Sequence, residues 1–95
     1  MNIENRTRAE RTLTIVNQRG LHARAAAKFV KLTSDFESVI EVTKDGETVS
    51  GVSIMGLMML AAGNGCSIHV TASGPDAEQA MNEIARLVER QFDED

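Results

Sequence analysis

Two histidines occur in the chain, and one of them, His22, stands where phosphate chemistry is easy. It lies in Arg19-Gly20-Leu21-His22-Ala23-Arg24, immediately before a segment rich in Ala, Lys and Arg, all good helix formers. A histidine at a helix N-terminus has the free backbone N–H groups of the first turn beside it, and such groups bind oxyanions. The positive helix end disfavours imidazolium and so favours a neutral, nucleophilic ring. Such a ring can attack a phosphoryl group without a general base, because its lone pair is already free. The helix amides, from Ala23 onward, and the Arg24 guanidinium can then hold the phosphate oxygens. No Asp or Glu is near His22 in the sequence, which argues against a hydrolytic His–carboxylate pair. A plain capping histidine on the surface explains the position about as well on local physics alone.

Several elements must position this site. Residues from Arg11 to Val16 alternate polar and apolar, which predicts a half-buried strand, and Asn17-Gln18-Arg19-Gly20 breaks it. A helix from Ala23 to about Leu32 carries Ala26, Phe29, Val30 and Thr33 on one face, and Phe36 can tuck back on the core. Ser38 to Lys44 and Glu47 to Val52 are β-rich and flank Asp45-Gly46, a strong hairpin signal. A short helix follows from Ile54 to about Leu60, with Ser53 as its N-cap, and Gly63-Asn64-Gly65 is a loop. Ser67 to Ser73 is a last strand, with Ile68, Val70 and Ala72 on one face and His69 and Thr71 on the other. Asp76 is a good N-cap for the final helix, and Gln79 three residues on resembles a capping box. Ala77, Ala80, Met81, Ile84, Leu87, Val88 and Gln91 form its apolar stripe, closing on one polar position. The order is βαββαβα, an α+β chain whose alternating strands predict an antiparallel sheet with one face packed on helices and one face wet.

Composition narrows the classes of function. Ninety-five residues suffice for one domain. Hydrophobic residues make up 42%, but there are three Phe and no Trp or Tyr, so the core is aliphatic and Met-rich. No apolar run approaches the roughly 20 residues that span a bilayer, and the polar N-terminus has no signal-peptide h-region. One cysteine, Cys66, excludes an internal disulfide and a Cys-cluster metal site. Two histidines without a third clustered ligand make a zinc site improbable, so no metal is expected. The net charge of −4 argues against nucleic acid. These features predict a cytoplasmic domain with no membrane insertion. The average charge hides a basic cluster at Arg19, Arg24, Lys28 and Lys31, suited to phosphate and acidic partners.

Gly20-Leu21-His22-Ala23-Arg24, followed by its Ala-rich helix, resembles the phosphorylation site of the HPr family. These are phosphocarriers of the bacterial phosphoenolpyruvate-dependent phosphotransferase system. Val52-Ser53-Ile54-Met55-Gly56-Leu57-Met58 resembles the regulatory-serine segment of the same family. The resemblance covers about residues 10 to 92, leaving a polar extension at 1–9 and a fraying acidic tail at 93–95. It implies an HPr-like open-faced sandwich, a four-stranded antiparallel sheet with three helices on one face. It also implies that His22 is phosphorylated on Nδ1 by an enzyme I-type phosphotransferase and passes the group to a IIA-type acceptor. Arg24 would steady the phosphate. The protein would be a monomeric, stoichiometric carrier rather than an enzyme, with no cofactor, serving sugar transport or a nitrogen-type regulatory system.

By the same resemblance Ser53 is a target of an HPr kinase/phosphorylase, although an ordinary N-cap explains a serine there too. Ile54, Met55 and Met58 would face partners, bordered by Ala27 and Lys31, while Leu57 and Leu60 turn inward. Flexible Met side chains suit a surface that repacks against several partners. Core filler is the alternative for Met59 and the better assignment for Met81. Where the family commonly has proline, this chain has Ala25, which keeps its N–H and leaves the site's first turn freer. His69 and Cys66 are expected to be a surface residue and a partly buried bystander. Two other classes compete with the carrier: a regulatory binding module controlled at Ser53, and a small acid/base enzyme using His22. The second is the weakest, because no other catalytic group accompanies the histidine.

Overall fold

The computed structural model describes residues 7–94. Seven elements follow in the order β1 (Arg8–Thr14), α1 (Ala23–Thr33), β2 (Val39–Lys44), β3 (Glu47–Ser50), α2 (Ile54–Met59), β4 (Ser67–Ser73) and α3 (Ala77–Glu89). The strands form one sheet in the order β1-β4-β2-β3, and every neighbouring pair is antiparallel. Period-two alternation decides which side is buried. Leu13, Ile40, Val42, Ile68, Val70 and Ala72 are buried, with Leu57, Phe29 and the α3 stripe closing the core over them. The opposite face is wet: Thr12 pairs with His69, and His69 with Thr43, across three strands.

The hairpin signal holds, since Asp45 and Gly46 have φ of 51° and 82°, the paired positive values that a tight two-residue turn requires. β3 stops at Ser50, short of the predicted Val52, because the chain turns at Gly51. There the Gly51 amide donates to the Ile40 carbonyl at 2.7 Å, and the Thr33 hydroxyl donates to the Gly51 carbonyl at 2.8 Å.

Two features differ from expectation for the same reason, that distant partners outcompete local signals. β1 begins at Arg8, before the alternating run, because Arg8, Ala9 and Glu10 pair with Ser73, Ala72 and Thr71 and backbone pairing needs no apolar pattern. Of the extension placed at 1–9, residues 1–6 lie outside the described residues. Asp76 makes no side-chain cap bond to α3. Its carboxylate instead accepts from the Ser38 hydroxyl at 2.6 Å and from the Glu37 and Ser38 amides at 3.0 Å, tying the start of α3 to the start of β2. The Ser38 hydroxyl first, then the Glu37 amide, holds this carboxyl below its ordinary pKa.

Asp93 and Glu94 of the acidic tail are held in place rather than frayed. α3 ends at Glu89, and Gln91, Phe92 and Asp93 form a left-handed turn with φ of 61°, 54° and 59°. Each such residue costs about 1–2 kcal/mol for an L side chain. The turn persists because Phe92 is buried, the Lys28 ammonium donates to the Phe92 carbonyl at 3.0 Å, and the Arg90 guanidinium donates to Asp93 at 2.9 Å. Residue 95 lies outside the described residues.

Candidate functional site

The segment between β1 and α1 is built around a buried amide. Asn17 is fully buried, and its Nδ2 donates to the Gly20 carbonyl at 2.8 Å, while the Asn64 side chain donates to the Asn17 carbonyl at 3.1 Å. Gly20 has φ +67°, and a Cβ there would meet the Ala62 carbonyl oxygen at 2.5 Å. The loop therefore lies flush on the segment after α2, where the Leu21 amide donates to Ala62 at 2.8 Å. This contact seats His22 as the N-cap of α1, in extended conformation.

The ring is held by that cap. The Arg24 amide donates to His22 Nδ1 at 3.3 Å, so Nδ1 carries the lone pair and Nε2 the proton of a neutral ring. A long, weak bond of this kind yields easily to an incoming electrophile. The same N–H is then free for a phosphoryl oxygen, beside the Ala23 backbone. A cavity of about 220 Å³ opens here, lined by Arg19, His22, Arg24, Lys28, Phe92 and Glu94 among others. Arg24 is exposed at its mouth. Lys28 is partly committed to the Phe92 carbonyl and to Asp93, 3.8 Å away. Ala25 is buried in a regular first turn of α1, so the absence of proline leaves the helix start in place.

A carboxylate stands beside the histidine after all. Glu94 Oε1 is 3.4 Å from His22 Nε2, delivered by the left-handed turn from the far end of the chain. The contact is long and poorly aligned, an electrostatic pairing rather than a formed hydrogen bond, and Nε2 has no other partner. The Glu94 carboxylate is anchored independently, accepting from Asn17 Nδ2 at 2.7 Å and from the Arg19 amide at 3.2 Å. The Asn17 bond first, and the Arg19 amide with it, holds its pKa below the ordinary value. Sequence reasoning missed Asn17 and Glu94. The available signal was Phe92, a lone aromatic in a polar tail that needs a core to cover it.

α2 supplies a second surface beside the first. Ser53 is its N-cap, with Oγ accepting from the Gly56 amide at 2.9 Å. Leu57 and Leu60 are buried as expected, whereas Ile54, Met55 and Met58 are exposed. Met58 and His22 line one shallow cavity with Arg19 and Leu21, which joins the apolar patch to the histidine. Ala27 and Lys31 are exposed on α1. Met59 is 67% exposed, so it fills no core, while Met81 is buried on α3. His69 lies on the wet side of the sheet, bonded to Thr12 Oγ1 at 3.0 Å and Glu10 at 2.8 Å, away from His22. Cys66 is half-buried. Among the described residues no group of three or more His, Cys, Asp or Glu could hold a metal ion. No helix among them is long and apolar enough to cross a membrane.

Residues 9–90 match the family described as PTS-HPr, the HPr component phosphorylation site of the phosphotransferase system. The chain belongs to the HPr family of phosphocarriers. It is 42% identical over 85 residues to the phosphocarrier protein HPr of Cupriavidus necator, covering 90% of this chain and 96% of that one. It is 42% identical over 88 residues to the phosphocarrier protein NPr of Shewanella violacea, covering 93% and 97%. An HPr crystal structure from Thermoanaerobacter tengcongensis superposes with a TM-score of 0.87 at 42% identity, covering 92% of this chain and 98% of that one. The open-faced βαββαβα sandwich expected from the motifs is therefore the fold of this phosphocarrier. Its partners are proteins of the phosphotransferase system.

Proposed function

We propose that His22 carries the phosphoryl group. The observation behind this is the position of Nδ1 at the N-terminus of α1, where it accepts from the Arg24 amide, a donor that can be handed to a phosphate oxygen. In the transfer, the Nδ1 lone pair forms a bond to phosphorus as the bond from phosphorus to the nitrogen of a phosphohistidine on enzyme I breaks. Nδ1 loses no proton, because Nε2 holds it. The first-turn amides and Arg24 then bind the phosphoryl oxygens. Transfer to a IIA-type acceptor reverses the same step, so the protein is a stoichiometric carrier, a cytoplasmic monomer that acts one partner at a time. Phosphorylation by enzyme I and phosphoenolpyruvate, with His22 present or replaced, is the deciding experiment.

Ile54, Met55 and Met58, bordered by Ala27 and Lys31, form the docking surface. Their exposure beside a site of three cations suits partners with an apolar patch and an acidic rim. Met55 is 69% exposed, so Met55→Glu removes little buried area. It is expected to weaken enzyme I binding about tenfold or more while moving the melting temperature little; equal affinity by calorimetry overturns the surface.

Ser53 is the regulatory phosphorylation site for an HPr kinase/phosphorylase. Its hydroxyl already points at a free-amide end of α2, so a phosphate is compatible with the helix. It adds about 1.5–2 negative charges next to Ile54 and Met55. Ser53→Asp, which keeps a capping oxygen, is expected to slow phosphoryl transfer through His22 by weakening docking. Unchanged rates at sub-saturating enzyme I would count against regulation here.

A further inference from the structure

We infer that Glu94 is a positioning residue for the phosphoryl-accepting histidine: by facing Nε2 it holds the ring in the tautomer and orientation that leave Nδ1 as the nucleophile. The inference rests on the assignment of phosphoryl transfer to His22. Four observations carry it.

First, the ring is constrained from both ends. The Arg24 amide donates to Nδ1 at 3.3 Å, and Glu94 Oε1 lies 3.4 Å from Nε2. Second, Nε2 is sheltered from solvent and makes no formed hydrogen bond, so its proton has nowhere else to go. The two side chains are only 16% and 13% exposed, where a carboxylate acts more strongly than in water. Third, Glu94 is itself placed. A fully buried Asn17 and the Arg19 amide hold its two oxygens, so the carboxylate is a fixed part of the His22 loop. Fourth, the chain accepts three successive left-handed residues, none of them glycine, to bring Glu94 there. Local strain of this sort persists only where surrounding contacts over-determine it, and it clusters at functional sites.

The chemistry follows from these positions. Were the proton on Nδ1, it would face the Arg24 N–H, donor against donor, and no lone pair would be available to phosphorus. The Nε2–H tautomer removes that conflict and pairs with the carboxylate. As the N–P bond forms, positive charge develops on the ring and is shared with Nε2–H. Glu94 opposes that charge, and the 3.4 Å contact shortens, as such contacts do when charge builds. Arg19, Arg24 and Lys28 line the same cavity and offset the repulsion between Glu94, Asp93 and the arriving phosphoryl group.

Glu94→Gln tests this, because Gln keeps an oxygen to accept from Asn17 while it loses the charge and the weaker 3.2 Å bond from the Arg19 amide. Ring ¹⁵N shifts of His22 in the unphosphorylated protein are expected to show Nε2–H alone in the unaltered chain and a mixture of tautomers in the variant. Phosphorylation by enzyme I is expected to slow about tenfold, with affinity for enzyme I unchanged. The Phe92 ring resonances check that the turn stays docked. An unchanged tautomer ratio overturns the inference, and so does a shifted ratio with an unchanged rate. Failure of the unaltered chain to be phosphorylated at His22 overturns the transfer assignment instead, and the tautomer measurement does not depend on it.

Discussion

His22→Ala is expected to take no phosphoryl group from phosphoenolpyruvate and enzyme I, whereas the unaltered chain is expected to take one, labile to acid and stable to base as a phosphohistidine is. The expectation is all-or-none because nothing else at the site can substitute. Arg24 and the first-turn amides bind phosphate oxygens but offer no lone pair to phosphorus. Glu94 is already engaged by Asn17 and Arg19. His69 lies on the opposite face of the sheet, bonded to Glu10 and Thr12. The fold survives the substitution. The ring contributes one weak cap bond to the Arg24 amide, and losing a cap costs about 1 kcal/mol. Radiolabel transferred from phosphoenolpyruvate, read beside a thermal melt, separates loss of the nucleophile from loss of the fold. Label that persists in His22→Ala overturns the assignment.

Gly20→Ala is the second large effect, and it acts through backbone alone. Gly20 sits at φ +67°, and its Cβ would lie 2.5 Å from the Ala62 carbonyl oxygen and 2.7 Å from Gly63 Cα. Both obstacles are main chain, so no side-chain rotation relieves the clash. The His22 loop must lift, which stretches the Leu21–Ala62 hydrogen bond and withdraws the N-cap of α1. Left-handed strain and overpacking together are expected to cost about 3 kcal/mol, read as a shift in the urea midpoint at constant slope. Phosphorylation is expected to slow as well, because Nδ1 no longer meets the helix amides squarely. Gly46→Ala provides the contrast. At φ +82° it carries strain, but nothing lies within 4 Å of its Cβ, so about 1 kcal/mol is expected and no change in transfer. Equal losses at the two glycines would show that packing on Ala62 does not seat the loop.

Much of this molecule was legible before any coordinates, and the residues show why. Ser67–Ser73 alternates so regularly that its bounds and its two faces were evident. Asp45-Gly46, the Ser53 cap and the α3 stripe all follow from short-range rules of period, turn and cap, whereas the inward turn of Leu57 and Leu60 came from the family resemblance. His22 was visible too, because helix N-termini recruit anions wherever they occur. The misses share one character. Asp76 gives its oxygens to Glu37 and Ser38 rather than to its own helix, and β1 begins three residues before its apolar pattern does, guided by β4. Met59, on an all-apolar helix, could be assigned to the core or to the surface until its neighbours were known.

The sequence by itself determined the helices, the strands and the candidate phosphoryl acceptor, because each depends on residues a few positions apart. Tertiary structure alone decided what surrounds His22. Asn17 and Glu94, 77 residues apart, meet at 2.7 Å. Nothing in Asp93-Glu94 taken alone distinguishes a fraying acidic end from a carboxylate set against an imidazole. Phe92 settles it by entering the core, and its burial holds a left-handed turn that the local backbone energy opposes. Local physics marks His22 as a candidate, and long-range packing sets a carboxylate beside it.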